Sequence, residues 1–132
     1  MKTKPLNILV ADDDPTICSV LFNILHRQRH AVEVAENGRE AIKLFTLNPD
    51  HFDALITDHD MPLVSGLELI DHLQKNGVRA KIIVMSGSLT TELLGAYRDK
   101  RVDNILQKSF TLKNLSSALE TILRQCEGLG HA

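Results

Sequence analysis

Five short apolar runs alternate with segments of helical period along this 132-residue chain, and that alternation narrows the choice of fold more than any other feature. The strand candidates are residues 6–11, 31–35, 54–57, 81–85 and 104–107. Each is short, apolar and flanked by turn or polar residues, the pattern of strands covered on both faces. The helices predicted between them have legible ends. Asp14-Pro15 offers a capping carboxylate and then a proline, whose missing N–H is harmless at a first helical position. Behind it Ile17, Val20, Leu21, Ile24 and Leu25 form one apolar stripe. A second helix follows Asn37-Gly38, carries Ala41, Ile42 and Phe45, and stops before Pro49. A third carries Leu67, Ile70 and Leu73 and ends at Asn76-Gly77, a left-handed cap. Leu93, Leu94 and Tyr97 mark a fourth, although Thr90, Thr91 and Gly95 are weak helix formers. A fifth begins at Thr111 and runs through Leu112, Leu115, Leu119, Ile122 and Leu123. Strict alternation of this kind implies an α/β fold: a parallel sheet, right-handed crossovers and helices on both faces. Residues 1–132 read as a single domain, with a core over about 6–125 and a frayed tail at 127–132.

Composition removes several function classes. Apolar content of 43% with 24% charged residues is ordinary for a globular chain, so disordered and coiled-coil classes drop out. The net charge is −2 with no basic block to neutralise a phosphate backbone, which argues against direct nucleic-acid binding. The longest apolar runs are strand-sized and far short of a membrane span, and the run near the N-terminus is too short for a signal peptide. Cys18 and Cys126 lie in helical patterns and read as the reduced thiols of a cytoplasmic protein rather than as a disulfide.

In an open α/β sheet, ligands gather beyond the carboxyl ends of the strands, near the point where strand order reverses. The first predicted strand ends in Asp12-Asp13, and the third ends at Thr57-Asp58 and continues His59-Asp60-Met61-Pro62. The fourth ends at Ser86-Gly87, and Lys108 follows the fifth. Carboxylates brought together there repel by roughly 1–4 kcal/mol per close pair, so a cation belongs among them. Oxygen-only ligands select a hard ion, and an incomplete cage that leaves room for water and a phosphate oxygen favours Mg²⁺. Ser86 supplies a hydrogen-bond donor and Lys108 a point charge for the remaining phosphoryl oxygens. For a loose transition state, such positioning and charge neutralisation is most of what a protein contributes.

ILVADDDP, ALITDHDMPLVSGLEL, IIVMSGS and ILQKSF, in that order and spacing, resemble the receiver domain of two-component response regulators, from about Leu6 to Leu123. The resemblance implies a flavodoxin-like doubly wound (βα)5 fold with a five-stranded parallel sheet of order 2-1-3-4-5. It implies that Asp58 accepts a phosphoryl group from a phosphohistidine donor in a Mg²⁺-dependent reaction. Asp12, Asp13 and Asp58 then hold the metal, Asp13 directly and Asp12 often through water, together with the backbone carbonyl of Asp60. Ser86 and Lys108 match the hydroxyl residue and the lysine that meet the phosphoryl group, and Pro62 and Gly66 match the turn after the acceptor. The implied partners are a sensor histidine kinase or a histidine phosphotransfer domain as donor. An output domain or partner protein would be met on the face of the fourth helix, fifth strand and fifth helix, and a phosphorylation-dependent dimer is compatible with this. Its own chemistry would be limited to self-phosphorylation and self-dephosphorylation, so the chain is not expected to be an enzyme in the usual sense. Partner switching in two-component phosphorelay signalling is the expected function, in the cytoplasm.

Two positions depart from that family pattern. Three residues before the lysine, where an aromatic is usual, stands the β-branched Ile105, so output is expected to rest on backbone shifts after Ser86 and in the fourth helix. After the lysine stands Ser109 instead of the common proline; a cis bond before a non-proline residue costs roughly 2.5–4 kcal/mol, so a trans Lys108–Ser109 peptide is predicted. Taken singly, Ser86 is an ordinary strand-end hydroxyl and Lys108 a surface charge; their claim rests on register with the other strands. His26 and His30, four apart, read as a surface pair on the first helix, and His59 as a residue of the pocket rim. Tyr97 reads as helix packing, and Leu63, Val64 and Leu89 as core by default or, if exposed near the site, as partner surface. Two rival functions carry different signatures. A degenerate receiver would act by binding alone and would fail to bind beryllofluoride with Mg²⁺. A haloacid-dehalogenase-like phosphatase, prompted by Asp58-His59-Asp60, would turn over small phosphomonoesters, although its acidic motif belongs on a first strand of a longer chain.

Overall fold

Among the described residues, the starts of four helices are each fixed by a side chain that takes up a free backbone N–H. In the computed structural model, which describes residues 5–108, 113–115 and 117–121, Asp14 accepts from Thr16 N at 2.9 Å and opens α1 (Pro15–Arg27). Asn37 accepts from Glu40 N at 2.8 Å and opens α2 (Gly38–Leu47). Ser65 and Glu68 bond each other's backbone N–H groups in a capping box that opens α3 (Gly66–Lys75). Thr90 accepts from Leu93 N at 3.1 Å and opens α4 (Thr91–Asp99), which explains why a helix forms there despite its weak formers. Gly77, at φ 72°, turns the chain out of α3 in the left-handed conformation that glycine adopts without steric cost.

Between these helices run β1 (Asn7–Ala11), β2 (Ala31–Ala35), β3 (Ala54–Asp58), β4 (Lys81–Ser86) and β5 (Asn104–Gln107). All neighbours pair in parallel, in the order β2-β1-β3-β4-β5. Strand order therefore reverses between β1 and β3, which lie side by side with Ala11 opposite Thr57. That register sets Asp12 and Asp58, each the next residue along, at the same level of the sheet.

Alternate residues of each strand serve opposite faces. Ile8, Val10, Ile56, Ile83 and Met85 pack under Leu21 and Leu25 of α1 and under Leu115 and Leu119, which are helical beyond β5. On the other face Leu9 and Leu55 meet Phe45 of α2 and Leu69 and Leu73 of α3. A third group beside it joins Ile82 and Val84 of β4 to Ile70 of α3 and Tyr97 of α4. Truncating one of these fully buried residues, Ile56 to Ala for example, is expected to cost about 2–5 kcal/mol. No helix among the described residues is long and apolar enough to cross a membrane.

Two sequence expectations need correction here. Val20 is 47% exposed and does not join the apolar stripe of α1. At 100° per residue it falls outside the arc shared by Ile17, Leu21, Ile24 and Leu25, and Cys18 faces inward instead. His30 is not on α1 and does not pair with His26 at the surface. The helix ends at Arg27, Arg29 turns the chain at φ 69°, and His30 is buried with Nδ1 accepting from Leu6 N at 3.0 Å. His26 stacks on Phe22. Strands β3 and β4 each run one residue beyond expectation, so Asp58 and Ser86 are themselves strand residues. Cys18 is a free, buried thiol. Cys126, the tail at 127–132, the start of the fifth helix at Thr111, and the Lys108–Ser109 peptide lie outside the described residues.

Candidate functional site

Parallel pairing of β1 with β3 forces two carboxylates into one buried corner. Asp12 and Asp58 are each 1% exposed, whereas Asp13, one residue further along, is exposed. Asp12 is held in place from both sides: its N–H donates to Ala35 O at 3.1 Å, and its Oδ1 accepts from Asp14 N at 2.9 Å. Carboxylate oxygens of Asp12, Asp13 and Asp58 all lie within 4.8 Å of one another. Lys108 enters from the end of β5, its N–H bonded to Ser86 O at 2.7 Å. Its ammonium donates to Asp58 Oδ2 at 3.0 Å and lies 3.3 Å from Asp12 Oδ2, the second contact being a charge pair without hydrogen-bond alignment.

Three carboxylates face one ammonium, so the corner carries excess negative charge. Burial, reinforced by the charge of Asp58, pushes the Asp12 carboxyl up to about 6, against the lowering effect of the Asp14 N–H and of Lys108. Burial alone pulls Lys108 down, but the hydrogen bond to Asp58 and the charges of Asp12 and Asp58 outweigh it, and its pKa is raised. Asp12 Oδ2 and Asp58 Oδ1 are buried with no hydrogen-bond donor among the described residues. Buried carboxylate oxygens without a donor are strongly disfavoured unless a cation takes that place. An all-oxygen set of this size suits a small hard divalent ion.

The remaining predicted residues divide. Ser86 closes β4 next to β3, fully buried, with its Oγ accepting from Ser88 N at 3.3 Å. Asp60 points its side chain outward, 74% exposed, and stands apart from the three converging carboxylates, which leaves only its backbone available to the corner. Gly66 is required for a visible reason: a Cβ there would lie 2.8 Å from Asp58 O and 2.6 Å from the Tyr97 hydroxyl. Leu63, 65% exposed, sits at φ 73° in a tight turn closed by Val64 N donating to Pro62 O at 2.9 Å. Val64 and Leu89 are half-buried. An open cavity of about 510 Å³ lies beside Asp13, walled by Pro15, Phe22 and Asn23 of α1 and by Glu36.

One residue near the site does more than the packing its sequence pattern predicts. Tyr97 does pack in the apolar group under β4, but its hydroxyl also meets His59 Nδ1 at 2.6 Å, directly after Asp58. No sequence signal announces a bond between residues 38 apart; only the docking of α4 on the sheet creates it.

A family model described as the response regulator receiver domain matches residues 8–120. The response regulator MprA of Mycolicibacterium vanbaalenii is 33% identical over 121 residues, which cover 92% of this chain and 52% of that protein. The chain thus spans about half the length of the curated relatives it matches. A receiver domain from Clostridium thermocellum has a TM-score of 0.86 at 26% identity, covering 94% of this chain and 98% of its own. The receiver domain of Francisella response regulator 1452 gives 0.80 at 26% identity, covering 92% and 98%.

Proposed function

The chain belongs to the response regulator receiver family, and on that footing we propose that Asp58 is its phosphoacceptor. The observation that carries this reading is the unequal treatment of the two Asp58 oxygens. Oδ2 is engaged by Lys108 at 3.0 Å, while Oδ1 is buried without a donor in the same corner as Asp12 and Asp13. A carboxylate so placed is a nucleophile with a charge partner already in position.

In the proposed reaction an Asp58 oxygen forms a bond to phosphorus as the P–N bond of a phosphohistidine donor breaks. The departing imidazole keeps the bonding pair and takes a proton. Lys108, with its raised pKa, stays an ammonium throughout and balances charge on the transferred group. Ser86 donates its hydroxyl to a phosphoryl oxygen after rotating away from Ser88 N. Asp12, Asp13, Asp58 and the backbone carbonyl of Asp60 would hold Mg²⁺, whose charge offsets that of the carboxylates and the phosphoryl oxygens. Hydrolysis of the acyl phosphate returns Asp58, so the chain's own chemistry is confined to gaining and losing that group.

The donor proposed is a sensor histidine kinase or a histidine phosphotransfer domain, reaching the corner past the cavity beside α1. The signal is proposed to leave through α4, β5 and the following helix to an output domain or partner, with dimerisation on phosphorylation as one form of that contact, in the cytoplasm. The whole chain is taken to act as one domain.

Labelling with a small-molecule phosphodonor and Mg²⁺ tests the assignment. Wild type should form one hydroxylamine-labile adduct, as an acyl phosphate does, and Asp58→Asn should lose it completely while keeping its fold. Retained labelling in that variant would move the acceptor elsewhere. Failure of wild type to label or to bind beryllofluoride with Mg²⁺ would favour a receiver that works by binding alone. Sustained turnover of a phosphomonoester would favour a phosphatase.

A further inference from the structure

The loop after Asp58 is joined to α4 by a partly buried polar contact that neither packing nor the proposed phosphoryl chemistry requires. Tyr97 projects from α4, is fully buried, and places its hydroxyl 2.6 Å from His59 Nδ1, with the two rings edge to face at 5.5 Å. His59 is in turn fixed to the sheet, its N–H donating to Met85 O at 2.8 Å and its carbonyl accepting from Gly66 N at 2.9 Å. The hydroxyl occupies the space that Gly66 leaves free, since a Cβ at 66 would come within 2.6 Å of it. Around the ring stand Ile70, Ile82 and Val84, with Ile105 packed against them. The other polar ties of α4 run from its C-terminal end to α3 and reach solvent: Lys100 Nζ to Asp71 at 3.0 Å, and Gln74 Nε2 to Lys100 O at 2.5 Å. Solvent screens those contacts.

We propose that Tyr97 is a positioning residue through which α4 senses the state of Asp58, the link being the Tyr97 hydroxyl on His59. This rests on Asp58 being the phosphoacceptor. A phosphoryl group on Asp58 adds three acceptor oxygens and extra negative charge beside the first peptide of the loop. The chain at His59 must adjust to make room, and its ring moves with it. A buried hydroxyl is not left without a partner, so Tyr97 either follows His59 or finds a new acceptor. In both cases the rigid aromatic ring carries the displacement into α4.

The chain supplies its own reporter, because Tyr97 is its only tyrosine and it has no tryptophan. Addition of Mg²⁺ and beryllofluoride to the full chain should raise the thermal midpoint, which reports binding at Asp58, and should change tyrosine emission. In His59→Leu the midpoint should still rise while the emission change is lost. In Tyr97→Phe, which keeps the ring and removes only the hydroxyl, amide exchange across residues 91–99 should no longer respond to the analogue, while the loop at 59–66 still does. A purely packing role for Tyr97 leaves that response intact. An emission that stays constant in wild type while the midpoint rises overturns the proposal, as does an α4 response in Tyr97→Phe equal to wild type. No rise in midpoint in wild type removes the phosphoacceptor reading, and the link with it.

Discussion

Aspartates stand at both rims of this sheet, and the two rims use them in opposite ways. At the amino-terminal rim, Asp53 accepts from Asn7 N at 2.8 Å and Asp103 accepts from Ile82 N at 2.7 Å. Each ties the start of one strand to its neighbour and gives a backbone N–H the partner it needs. At the carboxyl rim, Asp12 and Asp58 are buried deeper, yet each keeps an oxygen with no donor, and three carboxylates share one lysine. The first arrangement lowers the energy of the fold. The second raises it in the absence of a cation, and strain of that sort persists where binding or chemistry uses it.

Neutralising one charge on each rim breaks the comparison most directly. Asp12→Asn should stabilise the metal-free protein at pH 7.5, by on the order of 3 kcal/mol given about 1.4 kcal/mol per unit of raised pKa, and should weaken Mg²⁺ binding. The sign follows from the upward shift of Asp12 to about 6. The fold prefers the protonated acid, so this contribution is complete below the unfolded value near 3.8 and fades as pH climbs through about 6. Urea unfolding with and without Mg²⁺ measures both effects, and a less stable metal-free variant would contradict the repulsion account. On the other rim, Asp53→Ala should cost about 1–2 kcal/mol by leaving Asn7 N without its acceptor, with Mg²⁺ affinity unchanged. A loss of Mg²⁺ affinity there would show that the rims are not independent.

A smaller effect is expected at His30, which belongs to the same structural rim because its Nδ1 accepts from Leu6 N. Burial lowers its pKa below the ordinary 6.5, so the fold holds the neutral ring. Its stabilising contribution is therefore complete above about pH 6.5 and is lost as pH falls from there toward the lower folded value. The urea midpoint of wild type should drop on acidification through that window, and His30→Gln should flatten the drop. An equal slope in the variant would assign the effect to other groups.

What could be read from the amino-acid order alone follows the range of the interactions concerned. The helix starts at Asp14 and Asn37 were legible because those side chains act on residues two or three further along, whereas Thr90, read only as a weak helix former, caps α4 in the same way. The convergence of Asp12, Asp13, Asp58 and Lys108 was legible too, since strand alternation and the family motifs bring those strand ends to one edge. His30 was not, because its burial depends on a turn at Arg29 and on the backbone of Leu6, 24 residues earlier. The inward face of α1 was misjudged at Val20 for a related reason: a stripe of five apolar residues is wider than the surface the sheet offers. The contact of Tyr97 with His59 depends on how α4 seats against β4, which no local pattern encodes.

The pairing of Ala11 with Thr57 has a consequence for assembly of the molecule. Strands can slip by two residues and still keep their greasy faces inward, and each such slip carries a neighbour about 6.6 Å along the axis. Between β1 and β3, that error would pull Asp12 away from Asp58 and dissolve the shared anionic nest. Mispaired chains would escape the mutual repulsion but would also lose any ion able to reward correct pairing. A divalent cation present during folding would therefore act as a proofreader of strand alignment, selecting the one docking in which both acids can grip it together.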